Sequence, residues 1–156
     1  MKRKVITYVL CIILVEAAGF AVGMLTRSGT QLYADTIVKP LLAPPGIVFP
    51  IAWSVLYALM GIGLARIILA DASAAKTAGM IMFFVQFALN LAWCFIFFGA
   101  LKFVLAFIEL ILMLIAVVIM TVLFKKSDKA AALLQIPYII WLCFAAYLNI
   151  GVIILN

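Results

Sequence analysis

Histidine is absent from the 156 residues, acidic side chains number only five, and the three cysteines, Cys11, Cys94 and Cys143, lie far apart inside apolar runs. Each shortage removes a class of chemistry. Without histidine there is no Ser–His–Asp or Cys–His nucleophile, no histidine metal site and no histidine ligand for haem iron. An odd cysteine count with no Cys-x-x-Cys spacing argues against a disulfide framework and against zinc, so the three read as small buried hydrophobes. Charge of either sign is scarce: 10% of residues are charged and 71% hydrophobic, where a soluble domain is about a quarter charged and about half apolar. Eleven basic and five acidic side chains cannot clothe so apolar a chain in water, and its natural solvent is lipid. The net charge of +6 does not indicate nucleic acid, because the basic residues lie between apolar runs and form no single patch.

What the chain has in abundance is long apolar runs. A spanning helix needs about 20 mostly apolar residues, and five segments qualify, near 5–26, 47–69, 78–101, 103–124 and 131–154. The fold class is therefore all-α, a single membrane bundle of five transmembrane helices over residues 1–156. Residues 77–124 hold only Lys102 and Glu109 as charges and are about two membrane thicknesses long. They must fold back as a hairpin, with Gly99 and Lys102 marking its turn. Met1-Lys2-Arg3-Lys4 ahead of an apolar run resembles a secretory leader. The run continues to about residue 26, so it is read as the first span. Pro50 sits in the first turn of the second span, where a missing N–H costs little. Pro137, inside the fifth, should kink it or open a local gap.

Eight of the eleven Lys and Arg residues fall in the N-terminus, second loop and fourth loop. That excess predicts a cytoplasmic N-terminus and an external C-terminus in a cell membrane. The first loop, 27–46, is the one long connection. With Lys39-Pro40 and Ala43-Pro44-Pro45-Gly46, it reads as a lid over a binding site.

Polar groups inside hydrocarbon usually face the bundle interior. Here they mark three helix faces. Trp53 and Tyr57 are i and i+4; Gln86, Asn90 and Trp93 share a stripe; Tyr138, Trp141, Ala145 and Asn149 form a row. If the faces converge, they build a flat-walled apolar pocket with a few donors and acceptors, suited to a large planar ligand. The alternative is that the Trp and Tyr rings form an interfacial belt and the amides bond neighbouring helices. Glu109 is mid-span in the fourth helix and Glu16 mid-span in the first. Either a proton-coupled carboxyl or a neutral one bonded within the bundle fits Glu109; for Glu16 the neutral, bonded reading is favoured. Gly19-x-x-x-Gly23 and Ala88-x-x-x-Ala92 match small-residue packing motifs.

Three stretches in order resemble the TspO/MBR family, the translocator proteins. The first is Lys39-Pro40-Leu41-Leu42-Ala43-Pro44-Pro45-Gly46, continuing through Val48-Phe49-Pro50, Trp53, Leu56-Tyr57 and Met60-Gly61. The second is Gln86, Leu89-Asn90, Trp93 and Phe97-Phe98-Gly99. The third is Pro137-Tyr138, Trp141, Phe144-Ala145, Leu148-Asn149 and Leu155-Asn156. The resemblance implies a five-helix bundle, often dimeric, whose pocket is closed by the first loop and takes protoporphyrin IX without a required cofactor or metal. It carries over Tyr33, Pro44, Trp53, Gln86, Asn90, Trp141 and Ala145 as pocket residues. Tyr57, Trp93 and Tyr138 join them by their faces, and Glu109 matches the family's acidic position in the fourth span. Trp53 and Trp141 are the rings tied to light-dependent porphyrin breakdown. Porphyrin sensing, regulation or photo-oxidative degradation is then the expected function. A porphyrin transporter is the first alternative, although no internal repeat is visible. A structural or partner-binding membrane subunit without a small ligand is the other; membrane lipid and a second copy of the chain are the expected partners beside the ligand. No nucleophile–base pair indicates hydrolytic or transfer catalysis.

Overall fold

The computed structural model describes residues 2–156. It is wholly helical: α1 (Lys2–Leu25), α2 (Arg27–Thr36), α3 (Val48–Leu69), α4 (Ala74–Cys94), a π-helical turn (Phe95–Gly99), α5 (Phe103–Ser127), α6 (Lys129–Leu133) and α7 (Ile136–Leu155). Among the described residues, five helical segments are long and apolar enough to cross a membrane, with α4 continuing through the π turn and α6 with α7 making the fifth. Between 17% and 39% of each span is buried inside the bundle. The outward faces therefore carry side chains such as Ile13, Phe20, Ile51 and Ile154, which lipid solvates and water does not. This is a multi-pass membrane protein.

The spans outrun their apolar runs. α1 starts at Lys2, α4 at Ala74 and α5 ends at Ser127, whereas the hydropathy edges fell at 5, 78 and 124. Capping and charge explain the extra turns. Ser73 Oγ accepts from the Lys76 amide at 3.1 Å and opens α4. Lys125 and Lys126 sit in the last turn of α5, where the helix dipole favours cations. At Pro137 the fifth span does break. The prolyl nitrogen has no hydrogen to give the Leu133 carbonyl, and the chain turns at 134–135 before α7 begins with Pro137 in its first turn. Asp128 caps α6 by accepting from the Ala131 amide at 2.8 Å, and its other oxygen meets Arg66 of α3 at 2.8 Å.

A larger departure lies in the first loop. It reads as one connection from 27 to 46, yet residues 27–36, ahead of its prolines, form α2. α2 follows α1 after a break at Thr26, which still bonds back to Val22 at 2.9 Å. Extended chain begins only at Ile37. The hairpin turn also differs in detail: Leu101, with φ of 50°, is the one non-glycine residue in the left-handed region among the described residues, and Gly99 is the last residue of the π turn.

α1 packs along α3, α4 along α5, and α5 along α7, while α3 meets the fifth span through α6. The α1–α3 contact is close because Gly19 lacks a side chain: a Cβ there would overlap the Tyr57 ring. Gly23, its motif partner, has open space beside it, and Ala88 faces outward. The core runs through Val15, Met60, Phe83, Leu110, Met120, Tyr138 and Leu142. Between α3 and α7 the contacts are made by aromatic rings, with Trp53 meeting Tyr138 at 6.2 Å and Trp141 at 6.3 Å.

Candidate functional site

The cavity occupies about 490 Å³ at the lid end of the bundle, within the range of small-molecule sites. Its floor is set by Glu16 of α1, Tyr57 of α3 and Trp93 of α4, and its roof by Tyr33 and Thr30 of α2 with Lys39, Pro44 and Gly46 of the lid. The side walls are aromatic. Trp53 and Trp141 face each other edge to face at 6.3 Å, and Phe49 meets Trp141 at 6.0 Å. Trp93 stacks on Phe97 at 4.6 Å. Such rings give broad apolar surfaces with few rotatable bonds. Ala145, small and at the i+4 position from Trp141, leaves room between them.

The lid is fixed at two places. On one side α2 lies on the π turn, so near that a Cβ at Gly29 would overlap the Phe98 carbonyl. Tyr33 then packs on Phe97, Phe98 and Phe103 at 5.3, 5.5 and 6.4 Å. Burial raises the Tyr33 hydroxyl above its ordinary value, which keeps it a neutral donor. Lys39 donates to the Ala34 carbonyl at 3.0 Å and stands 5.9 Å over the Tyr33 ring. On the other side the Asn156 side chain pairs with the backbone of Val38. Its oxygen accepts from the Val38 amide, and its nitrogen donates to the Val38 carbonyl, both at 3.0 Å. Pro40 is buried against Gly151, where a Cβ would come within 2.6 Å.

Of the residues picked out by pattern or resemblance, Tyr33, Pro44, Trp53, Tyr57, Trp93, Trp141 and Ala145 border the cavity. Asn90 and Tyr138 stand behind its floor and bond to each other. Asn90 accepts from the Tyr57 hydroxyl at 2.8 Å and donates to the Tyr138 hydroxyl at 2.9 Å, which donates in turn to Met113 Sδ at 3.2 Å. These groups tie α3, α4, α5 and α7 together. Asn90 also edges a void of about 10 Å³ beside Trp93 and Trp53. Gln86 is fully buried away from the cavity, with both amide atoms lacking a protein partner. Glu109 is likewise buried outside the cavity wall, its two oxygens unpartnered. Asn149 lines the cavity while donating to the Phe103 carbonyl at 2.9 Å; its own oxygen accepts nothing.

The structure adds wall residues that pattern reading passed over, Thr26, Thr30, Ser54 and Cys94, and it places Glu16, read as a carboxyl bonded within the bundle, on the cavity wall with no hydrogen-bond partner among the described residues. Glu16, Gly19 and Gly23 stand at i, i+3 and i+7, so the small-residue spacing carried the signal that this face of α1 is recessed.

A model of the family described as TspO/MBR matches residues 11–155. The Chlorobaculum tepidum tryptophan-rich protein TspO is 34% identical over all of this chain and 99% of its own length. Its namesake from Archaeoglobus fulgidus is 33% identical over 98% of this chain and 99% of its own length. The translocator protein of Ovis aries is 34% identical over 78% of this chain and 72% of its own length.

Proposed function

The chain belongs to the TspO/MBR family, and on that premise we propose that its cavity binds a planar tetrapyrrole such as protoporphyrin IX. One observation carries the reading: a cavity of about 490 Å³ walled by Trp53, Trp93 and Trp141, with the Lys39 ammonium at its roof. A porphyrin has a flat apolar body and carboxylate arms at one edge. The rings offer that body stacking surfaces, and Lys39 offers the arms a cation beneath the lid. The site supplies no nucleophile paired with a base. Any chemistry on the ligand is then photochemical, with dioxygen as oxidant, the bound porphyrin as sensitiser and Trp53 and Trp141 as the adjacent electron-rich rings.

The test is tryptophan quenching by protoporphyrin IX in the dark, in neutral detergent. Wild type should quench saturably at micromolar ligand, and Trp141→Phe should need several-fold more. Linear, unsaturated quenching in both would mean that porphyrin only partitions into the micelle, and would overturn the proposal. Illuminating the same complexes tests the photochemistry: if Trp53→Phe with Trp141→Phe bleaches bound porphyrin as fast as wild type, the two rings take no part.

A further inference from the structure

The floor of the cavity holds a carboxyl that the tetrapyrrole reading does not use. Glu16 lies in the middle of α1, and among the described residues no hydrogen-bond donor or cation engages it. Acidic residues within a membrane are costly and generally pair with one another, with backbone or with what passes beside them. The neighbours of Glu16 leave it free to do the last. Gly19 and Gly23, one and two turns further along, keep part of the wall recessed, and Glu16 shares the α1 lining of the cavity with them and with Phe20 and Met24. The Tyr57 hydroxyl, a candidate donor on the floor, is committed to Asn90 at 2.8 Å.

Charge is therefore distributed along the cavity. Thr26, beneath the roof, comes ten residues after Glu16, about 15 Å at the helical rise. At the roof stands the Lys39 ammonium and at the floor a carboxyl, with aromatic walls between them. We propose that Glu16 is a specificity-determining group: it favours planar occupants whose ring system turns a protonated or N–H nitrogen toward the floor. This deepens the reading of the cavity as a planar-ligand site and rests on it. Glu16 is half-buried, and a charge-assisted hydrogen bond from nitrogen to its carboxylate is about twice as strong as a neutral one. A ligand of the same shape without that nitrogen leaves the carboxyl bare.

The experiment uses two fluorescent probes of one shape, 9-aminoacridine, protonated at neutral pH, and acridine, neutral at pH 7.5. Both are titrated against the purified full chain in a neutral maltoside detergent, and each is challenged with protoporphyrin IX. Wild type should prefer 9-aminoacridine by about tenfold, and porphyrin should displace both probes. Glu16→Gln should lose that preference while binding acridine as wild type does. No preference in wild type, or a preference that survives in Glu16→Gln, would overturn the assignment. Should Glu16→Gln bind neither probe, Glu16→Asp decides: it keeps the carboxylate, and loss of the preference there counts against the proposal. Porphyrin that fails to bind wild type at all would sink the tetrapyrrole reading separately, because the acridine pair still reports on Glu16.

Discussion

Replacing Asn90 by leucine should loosen the bundle by a calculable amount. The two side chains share heavy-atom count and branching but leucine is bulkier, so no void is left and any overpacking adds to the loss. What goes is chemical: the acceptor for Tyr57 at 2.8 Å and the donor to Tyr138 at 2.9 Å. Hydrogen bonds between helices in a bilayer contribute about 0.6 kcal/mol on average and up to about 1.7. Two of them give a loss of about 1–3 kcal/mol. The loss is unevenly shared. Tyr138 keeps its bond to Met113 Sδ, whereas Tyr57, 7% exposed, is left with a buried donor and no acceptor. Tyr57→Phe in the Asn90→Leu background should therefore cost less than in wild type. The difference should be about 0.6–1.7 kcal/mol of coupling. Equilibrium unfolding in mixed micelles, followed by circular dichroism for the four corners of the cycle, measures both quantities. An Asn90→Leu protein within about 0.3 kcal/mol of wild type, or an additive cycle, would show that the network seen behind the cavity floor does not hold the helices.

Two further outcomes follow from the ends of the bundle. Gly29→Ala places a methyl group on the Phe98 carbonyl. Backbone cannot yield as a side chain does, so α2 should lift from the π turn; the protein should still fold, while protease cleavage within 37–47 rises and porphyrin affinity falls several-fold. At the opposite end, burial pushes the Asp128 carboxyl up, but hydrogen bonds from Arg66 and from the Ala131 and Ala130 amides outweigh it and hold it below the usual carboxylate range. A depressed value means stability that is fully present above the unfolded value near about 3.9 and lost as pH falls through the lower folded one. Thermal melts from pH 7 to pH 3 should show that loss in wild type and less of it in Asp128→Asn, which keeps the helix cap. At pH 7 the variant should be weaker by about 1 kcal/mol or less, since the pair is partly exposed.

The five spans were legible because length and hydropathy alone decide whether a helix can cross lipid. Their ends were not, since Ser73, Lys125 and Lys126 extend helices by capping and by favouring the dipole, which hydropathy does not register. α2 escaped notice for the same reason: Arg27-Ser-Gly-Thr-Gln is polar, and its helix is stabilised by Gly29 and Tyr33 fitting the π turn, a contact made with residues far along the chain. The helical period marked the aromatic faces, yet could not say how deep each residue would lie. Trp53 and Trp141 meet across the cavity, while Asn90 and Tyr138, on the same faces, turn to each other behind it. Glu16 was the least readable, because α1 is apolar on every side and no stripe shows which way it faces.

The pairing of Asn156 with Val38 joins residues 118 positions apart, but the chain between them is not a loose loop. It is the folded bundle, which has already brought the two together. An eleven-residue segment, 37–47, is all that remains to be ordered, and its entropy of closure grows only with the logarithm of that short length. Because one side-chain amide stands in for a missing strand and satisfies both polar groups of Val38, the segment is shaped before any ligand arrives. Binding then spends little free energy on ordering the roof, and the affinity of the site is governed by what lies beneath it.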